Sequence, residues 1–481
     1  MEQKGQQSKF DKVMGAGDIL VIAFGAMIGW GWVVNSGDWI QTAGFWGSII
    51  AFVIGGLMVV FVGFTYAELT SAMPQCGGEH VFSYRAMGPT GSFVCTWAII
   101  LGYVATAAFE ATALPTVITY LAPNFNQVYL YTIAGRDIYL TTIILGSGMA
   151  IIITAINMAG AKTAAILQTI LTAIIAIAGI LLVVASLFNG DTSNIQTQLW
   201  NQGNGTTLNS VFKVVCMTPF LFIGFDVIPQ AAEEINVPYK KVGRIMLFSI
   251  VLTIVWYLLI VFAVCYIMPA DAMTAEMESQ TGLVTAKAME MAFNAEAMGK
   301  VLIIGGLCGI VTSWNSFLMG GSRAMYSMGE SLMLPERFGQ LNKRKTPTAA
   351  LLLCGLACFI APFFGRGVLV WLVDAASFGC VVAYLMVSIS FVILRKKEPE
   401  LARPYKVKGG MFVGIMAIIL AGFMTSLYII PADFAAHLIW QEWIVVGAWI
   451  ILGVIFYFYS KKKYGDEFGR DITVEIDENL M

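Results

Sequence analysis

Charge is what this chain has least of. Only 12% of its 481 residues are charged, against 58% hydrophobic, whereas a water-soluble domain keeps about a quarter charged. A chain that mostly faces water is thereby excluded. Histidine is scarcer still, with only His80 and His437, far apart in the sequence. The eight cysteines include no C-x-x-C pair and no Cys/His cluster. Most of them (Cys95, Cys216, Cys265, Cys308, Cys354, Cys380) lie inside apolar runs, where they serve as small packing residues. These spacings offer neither a metal centre nor a disulfide framework. The net charge of −2 names no partner, and neither a cofactor nor a nucleic-acid partner is expected. Residues 1–17 are polar, without an apolar core or a cleavage site, so no removable signal peptide is expected.

What the chain has instead is long apolar runs, each able to cross a hydrocarbon core of about 30 Å. Breaks between them predict twelve spans, near 18–36, 45–70, 92–121, 138–156, 163–188, 208–232, 243–268, 299–329, 348–365, 369–395, 411–432 and 439–461. The basic residues follow one side. With both termini cytoplasmic, the inner segments hold Lys9, Lys12, Arg85, Lys240, Lys241, Arg244, Arg337, Lys343 to Lys345, Arg395 to Lys397, Arg403 and Lys461 to Lys463, and the outer loops little beyond Arg136, Lys287 and Arg366. That asymmetry obeys the positive-inside rule. The expectation is an all-α, multi-pass protein of a cell (plasma) membrane. Residues 189–210 read as a polar outer loop, with a glycosylation sequon at Asn204. Residues 271–300 read as short outer helices, and the tail 464–481 as an acidic cytoplasmic segment.

Two spans carry interruptions at comparable depth. Span 1 reads GAMIGWG from Gly25 to Gly31, and span 6 reads TPFLFIGFDVIPQ, with Pro219, Gly224, Asp226 and Pro229. Unwound backbone at membrane depth must face protein or a water-filled cavity. A matched pair of interrupted helices points to a transporter's central site. Freed N–H groups from Gly29 to Trp32 suit an anion, and freed carbonyls in span 6 suit an ammonium. Together they suit a zwitterion. The spacing Gly25-x-x-x-Gly29 also fits plain close packing of helices.

Five stretches, in order, carry a family resemblance. They are GAMIGWGWVVNSGDWIQTAGFWG from Gly25, YAELTSAMPQCGGEHVFSYRAMG (66–88), IGFDVIPQAAEEINVP (223–238), GIVTSWNSFLMGGSRAMYSMGESLMLPERF (309–338) and VSISFVILRKKEPELARPYKVKGG (387–410). From about residue 12 to 408 the chain resembles the amino acid–polyamine–organocation (APC) superfamily. The resemblance implies a LeuT-type fold. Its two inverted five-helix repeats would be residues 18–188 and 208–395, with discontinuous helices 1 and 6 and two peripheral helices over 411–461. Carried over residue by residue, Gly29, Trp30 and Gly31, with Gly25 and Ile28 of the same pattern, would bind a substrate carboxylate. Phe222, Gly224 and Phe225 would receive its amino group, with Phe222 and Phe225 as an aromatic gate and Glu233, Glu234 and Arg323 as cytoplasmic gate residues. The family usually has Ser or Thr where Trp30 stands, so an indole either shrinks the pocket or walls a bound ammonium. Lys162 falls in a pattern where some members place a lysine between helices one, five and eight. It would either mimic a cation and cycle protons there or snorkel to the surface near a helix end. Thr312 and Ser313 resemble the pair that sodium-coupled relatives use at that same position.

Glu110 lies deep in span 3, where an apolar residue would be ordinary. It either faces the cavity as partner to a second positive group, or is hydrated near the outer mouth or paired structurally. Glu68 and Asp226 read as residues that hold helices or gates together. The resulting expectation is a secondary transporter for an amino acid or related small nitrogen compound, coupled to protons through Lys162. The alternatives are an amine or polyamine carrier using Glu110, or a sodium-coupled symporter. No nucleophile–base constellation suggests an enzyme.

Overall fold

The structure is a computed structural model, and it describes residues 9–200, 207–279, 282–432, 435 and 437–472. Among these residues nine helices are long and apolar enough to cross a membrane. They are α2 (Gly31–Ala72), α3 (Glu79–Leu121), α4 (Leu140–Met158), α5 (Ala161–Asn189), α9 (Tyr239–Ile267), α12 (Glu296–Glu330), α14 (Gly365–Lys397), α15 (Gly410–Ile429) and α16 (Trp440–Tyr464). Three apolar helices are shorter: α1 (Ala16–Ile28), α7 (Thr207–Leu221) and α13 (Thr348–Ile360). At 1.5 Å per residue, the 13 residues of α1 reach about 20 Å, two-thirds of a hydrocarbon core. Helices α1 and α7 are short because each stops at one of the two interruptions seen in the sequence. The rest of span 6 continues as α8 (Val227–Gln230) and a 3-10 turn, Ala232–Glu234.

The outer loops contain α6 (Thr192–Gln196), α10 (Ala270–Met277) and α11 (Val284–Phe293). Short helices over 271–300 were expected and are present. A two-stranded antiparallel hairpin, β1 (Tyr129–Ile133) with β2 (Arg136–Tyr139), was not foreseen and stands between α3 and α4. The sequon at Asn204 lies outside the described residues.

Two span boundaries differ from the sequence reading. The second half of span 1 does not end at residue 36 but runs on as helix to a corner at Gly44 and then directly into span 2. Gly44 has φ +73°, and a Cβ there would stand 2.6 Å from the Trp200 backbone. The corner is closed by that backbone, since Phe45 N–H donates to Gln198 O (2.8 Å) and Trp46 N–H to Leu199 O (3.1 Å). Likewise α3 begins at Glu79, thirteen residues before the expected start at 92, and turns at Gly88.

The end of the molecule where Lys9 pairs with Glu330 at the close of α12, and toward which the start of α9 with Lys240 and the end of α14 with Lys396 lead, is called the basic face below. Glu68 is the tie on this side. Its fully buried carboxylate accepts from Arg395 Nε (2.8 Å) and Nη2, from Arg403 Nε (3.1 Å) and from the Val407 N–H (2.7 Å). It therefore fastens α2 to the end of α14 and to the loop that leads into α15, which is the holding role its sequence position suggested. Breaking a buried ion pair from one side typically costs about 3–5 kcal/mol. Glu68→Gln should lower the melting temperature of the purified protein by several degrees, and an unchanged melting temperature contradicts this account of the tie.

Candidate functional site

The two interruptions meet. Helix α1 stops at Ile28, Gly29 leaves helical geometry (φ −12°, ψ −139°), and Gly31 restarts the helix. Trp30 at the restart has no side-chain oxygen to cap the new helix. Val33 N–H falls back on Trp30 O (3.0 Å), while the N–H groups of Trp30, Gly31 and Trp32 have no acceptor among the described residues. The first N–H groups of any helix lack intrahelical partners, and here they open at mid-span rather than at a water-facing end.

Opposite lies the break of span 6. Gly224 has φ +138°, and a Cβ on it would stand 2.7 Å from Ala26 Cβ and 3.1 Å from Met27 N. Only glycine allows the two breaks to touch here. Asp226 folds the turn, accepting from Gly224 N–H (2.7 Å) through Oδ1 and from the Tyr103 hydroxyl (2.7 Å) through Oδ2. A single hydroxyl then ties both helix ends. Tyr257 of α9 lies with its Oη 2.7 Å from Met27 O and 3.1 Å from Leu221 O, the carbonyls that end α1 and α7. Tyr257 escaped the sequence reading. Its only signal was a hydroxyl in the otherwise apolar run VWYLL, which demands a partner when buried.

The walls come from α3 and α12. A Cβ on Gly29 would stand 3.3 Å from Ser313 Cβ, and one on Gly309 would stand 2.7 Å from Gly29 O. Ser313 is also the hydrogen-bonding neighbour of the buried Glu110 carboxyl. Glu110, Ser313 and Gly29 thus come together, and no ion pair reaches Glu110 among the described residues. Thr312 donates to Gly25 O (3.0 Å) and to Gly309 O (2.9 Å), pinning α12 to α1. Trp30 lies across Gly306 of α12, where a Cβ would strike its ring. Trp32 turns the other way, edge-on to Trp256 at 5.5 Å, and belongs to the packing with α9. Phe222 is edge-on to Tyr257 at 5.6 Å, and Phe225 lies 5.3 Å from Tyr66 and 5.4 Å from Tyr384. Ile28 is fully buried.

Lys162 is not brought to this site. It lies exposed in the first turn of α5, next to Gly160, so its ammonium is at the surface rather than between α1, α5 and α12. That junction is neutral and polar instead. Asn157 Nδ2 donates to Asn315 Oδ1 (2.8 Å), and Asn315 Nδ2 donates to Gln168 Oε1 (2.9 Å). Gly25 sits against the same group: a Cβ on it would strike Thr172 Oγ1 and stand 2.8 Å from Gln168 Nε2. Close packing accounts for Gly25 better than ligand contact does.

Of the residues expected at a gate, one pair forms. Arg323 pairs with Glu234, not Glu233, at 2.9 Å, and both are buried. Glu233 instead accepts from the backbone N–H of Cys76 (3.2 Å) and of Lys9 (3.3 Å). The segment before α1 pairs with the segment after span 6 like a strand: Val13 and Met14 N–H donate to Glu234 O (2.9 and 3.0 Å), and Asn236 N–H donates to Met14 O (2.8 Å).

Removing the shared hydroxyl isolates its contribution. Tyr257→Phe leaves two buried helix-end carbonyls short of a donor, at a cost of about 1–3 kcal/mol. The variant should melt measurably lower than the wild type while keeping its helical circular dichroism. An equal melting temperature would mean that the breaks are held by packing alone.

Comparison with known proteins gives these features a family. Residues 18–456 match the family model described as amino acid permease. A histidine permease of Lactococcus lactis subsp. cremoris (strain MG1363) is 28% identical over 469 residues, covering 93% of this chain and 94% of the relative. A methylthioribose transporter of Bacillus subtilis (strain 168) is 25% identical, covering 96% and 97%. A branched-chain amino acid permease of the same strain is 24% identical, covering 95% of each chain. With its many apolar helices and this match over nearly the whole length, the chain is a multi-pass membrane protein that belongs to the amino acid permease family of the APC superfamily, a permease rather than an enzyme.

Proposed function

We propose that the protein is a secondary transporter that imports an amino acid or a related small nitrogen compound by alternating access. The observation that carries this reading is the meeting of two broken helices at mid-span, one offering three open N–H groups and the other a turn lined by Phe222 and Phe225. Open N–H groups at a helix start favour a carboxylate, and the aromatic turn of the second break favours an ammonium. In this reading the chain has twelve spans, arranged as inverted repeats over residues 18–188 and 208–395, with the pair over 411–461 peripheral. The basic face is cytoplasmic, as the positive-inside rule requires, so both termini are cytoplasmic and the membrane is the cell's own. The Arg323–Glu234 pair is then part of the inner gate.

Glu110 replaces Lys162 as the coupling group. A carboxylate at membrane depth without a basic partner is costly when ionised, so Glu110 takes up either a proton or the substrate's positive charge. The first makes the protein a proton symporter for amino acids. The second makes it a carrier of amines, with Glu110 as the cation's partner. The names of the relatives range from a histidine permease to a methylthioribose transporter, so the choice falls to experiment.

Purified protein screened by thermal shift against amino acids, polyamines and choline, with and without sodium, separates these readings. A ligand present at about 100 times its Kd stabilises by about 2.7 kcal/mol. Stabilisation by α-amino acids, indifferent to sodium, is expected; stabilisation only by amines without a carboxylate overturns the first reading in favour of the second. In vesicles, Glu110→Gln should keep that thermal shift yet lose accumulation driven by a proton gradient. Accumulation at the wild-type level removes Glu110 from the coupling.

A further inference from the structure

Two other carboxylates lie fully buried and share one enclosure. Glu79 opens α3, and Asp226 ends the turn that breaks span 6. Gln230, one turn beyond Asp226, donates through Nε2 to Glu79 Oε2. Gly77 N–H donates to Gln230 O (3.2 Å), and a Cβ on Gly78 would stand 2.7 Å from Pro229 Cβ, so the start of α3 rests directly on α8.

The surrounding groups are all neutral or acidic. From α2 comes Tyr66, facing Glu79. Tyr103 and Cys95 come from α3, and Tyr384, facing Asp226, and Cys380 from α14. From helix α12, Gly320 lies against Tyr103 and Ser327 against Gly77. The arginines nearest in the fold are already taken, Arg323 by Glu234 and Arg395 and Arg403 by Glu68. His80, next to Glu79, turns its ring to Ser92 (2.9 Å) and Ser331 (2.7 Å). The hydroxyls of Tyr66 and Tyr384 turn to Glu79 and Asp226, and Gln230 Oε1 is buried with no hydrogen-bond partner among the described residues. A buried amide oxygen left without a donor beside two carboxylates marks an unfinished network.

Two ionised carboxylates in one dry enclosure repel each other, and each has lost its water. A single proton relieves both costs at once. It gives Glu79 a donor to offer and leaves Asp226 free to accept from Gly224 and Tyr103. We infer that Glu79 and Asp226 form a proton-binding pair, separate from Glu110, which holds one proton while the start of α3 rests on α8. Loss of that proton sets the first turn of α3 against the turn of span 6 and drives apart the two elements that Gly78 and Pro229 bring together. The proton site stands without the transport reading, whereas its use in gating rests on it.

Infrared spectroscopy of the full chain in liposomes reads this site directly, because a protonated carboxyl has its own C=O band and no substrate is needed. The measurement is made in a Glu110→Gln background, so that the proposed substrate site contributes nothing to the signal. At neutral pH, adding Glu79→Gln should remove the amplitude of one protonated carboxyl, since Asp226 alone keeps its two donors and ionises. Glu79→Met, of similar volume, gives the same reading if the glutamine variant does not fold. An amplitude unchanged in the Glu79 variant that folds overturns the inference. So does a band that appears only when sodium is withdrawn, which would assign the enclosure to a metal cation. Failure of the amino acid screen would leave this band untouched.

Discussion

Backbone that leaves its helix inside hydrocarbon has no water to turn to, and the centre of this molecule is organised by that constraint. Each of the two broken helices ends in carbonyls and restarts in N–H groups. The carbonyl ends are satisfied internally, by the Tyr257 hydroxyl shared between Met27 and Leu221. The N–H ends of the restarted α2 are not. This asymmetry leaves open groups of one polarity where the two breaks meet, with Ser313 and the Glu110 carboxyl beside Gly29.

The charges obey a related rule. Glu68 and Glu234 are buried with arginine partners near the basic face, where they join elements far apart in sequence. Glu110, Glu79 and Asp226 are buried without such partners. The paired acids read as fasteners. These three lie beside one of the two breaks or beside the element resting on it, whereas Glu442, buried without a basic partner among the described residues, accepts from Ile439 N–H at the start of α16.

Much of this was legible in the sequence because it depends on local rules. Apolar run length gave the helices, glycine and proline at matching depth gave the breaks, and five ordered stretches gave the family. Glu110 stood out because a carboxylate is rare at that depth, and the structure sets it beside Ser313 and Gly29. What was not legible depends on which face of a helix turns inward. Lys162 has the right spacing for the junction of α1, α5 and α12, yet it lies in the first turn of α5 and points out, while Gln168 and Thr172 two to three turns later occupy the junction. Gly25 and Trp32 share a motif with Gly29 and Trp30 but pack against α5 and α9. Glu79 went unnoticed because an acid at a helix start is ordinary, and only the position of α8 against that start makes it unusual. The outer hairpin pairs residues through backbone bonds that no side-chain pattern announced.

The strand-like pairing of Met14 with Ile235 joins the entry to the first broken helix with the exit from the second. Backbone pairing of this kind does not stretch. Its bonds are made together or lost together, and each buried N–H released needs water before it can leave. Parting of these two segments therefore has a threshold instead of a graded course, and the first water to enter takes part in it. Two short lengths of main chain thus make separation of the two broken helices on this face an all-or-none event.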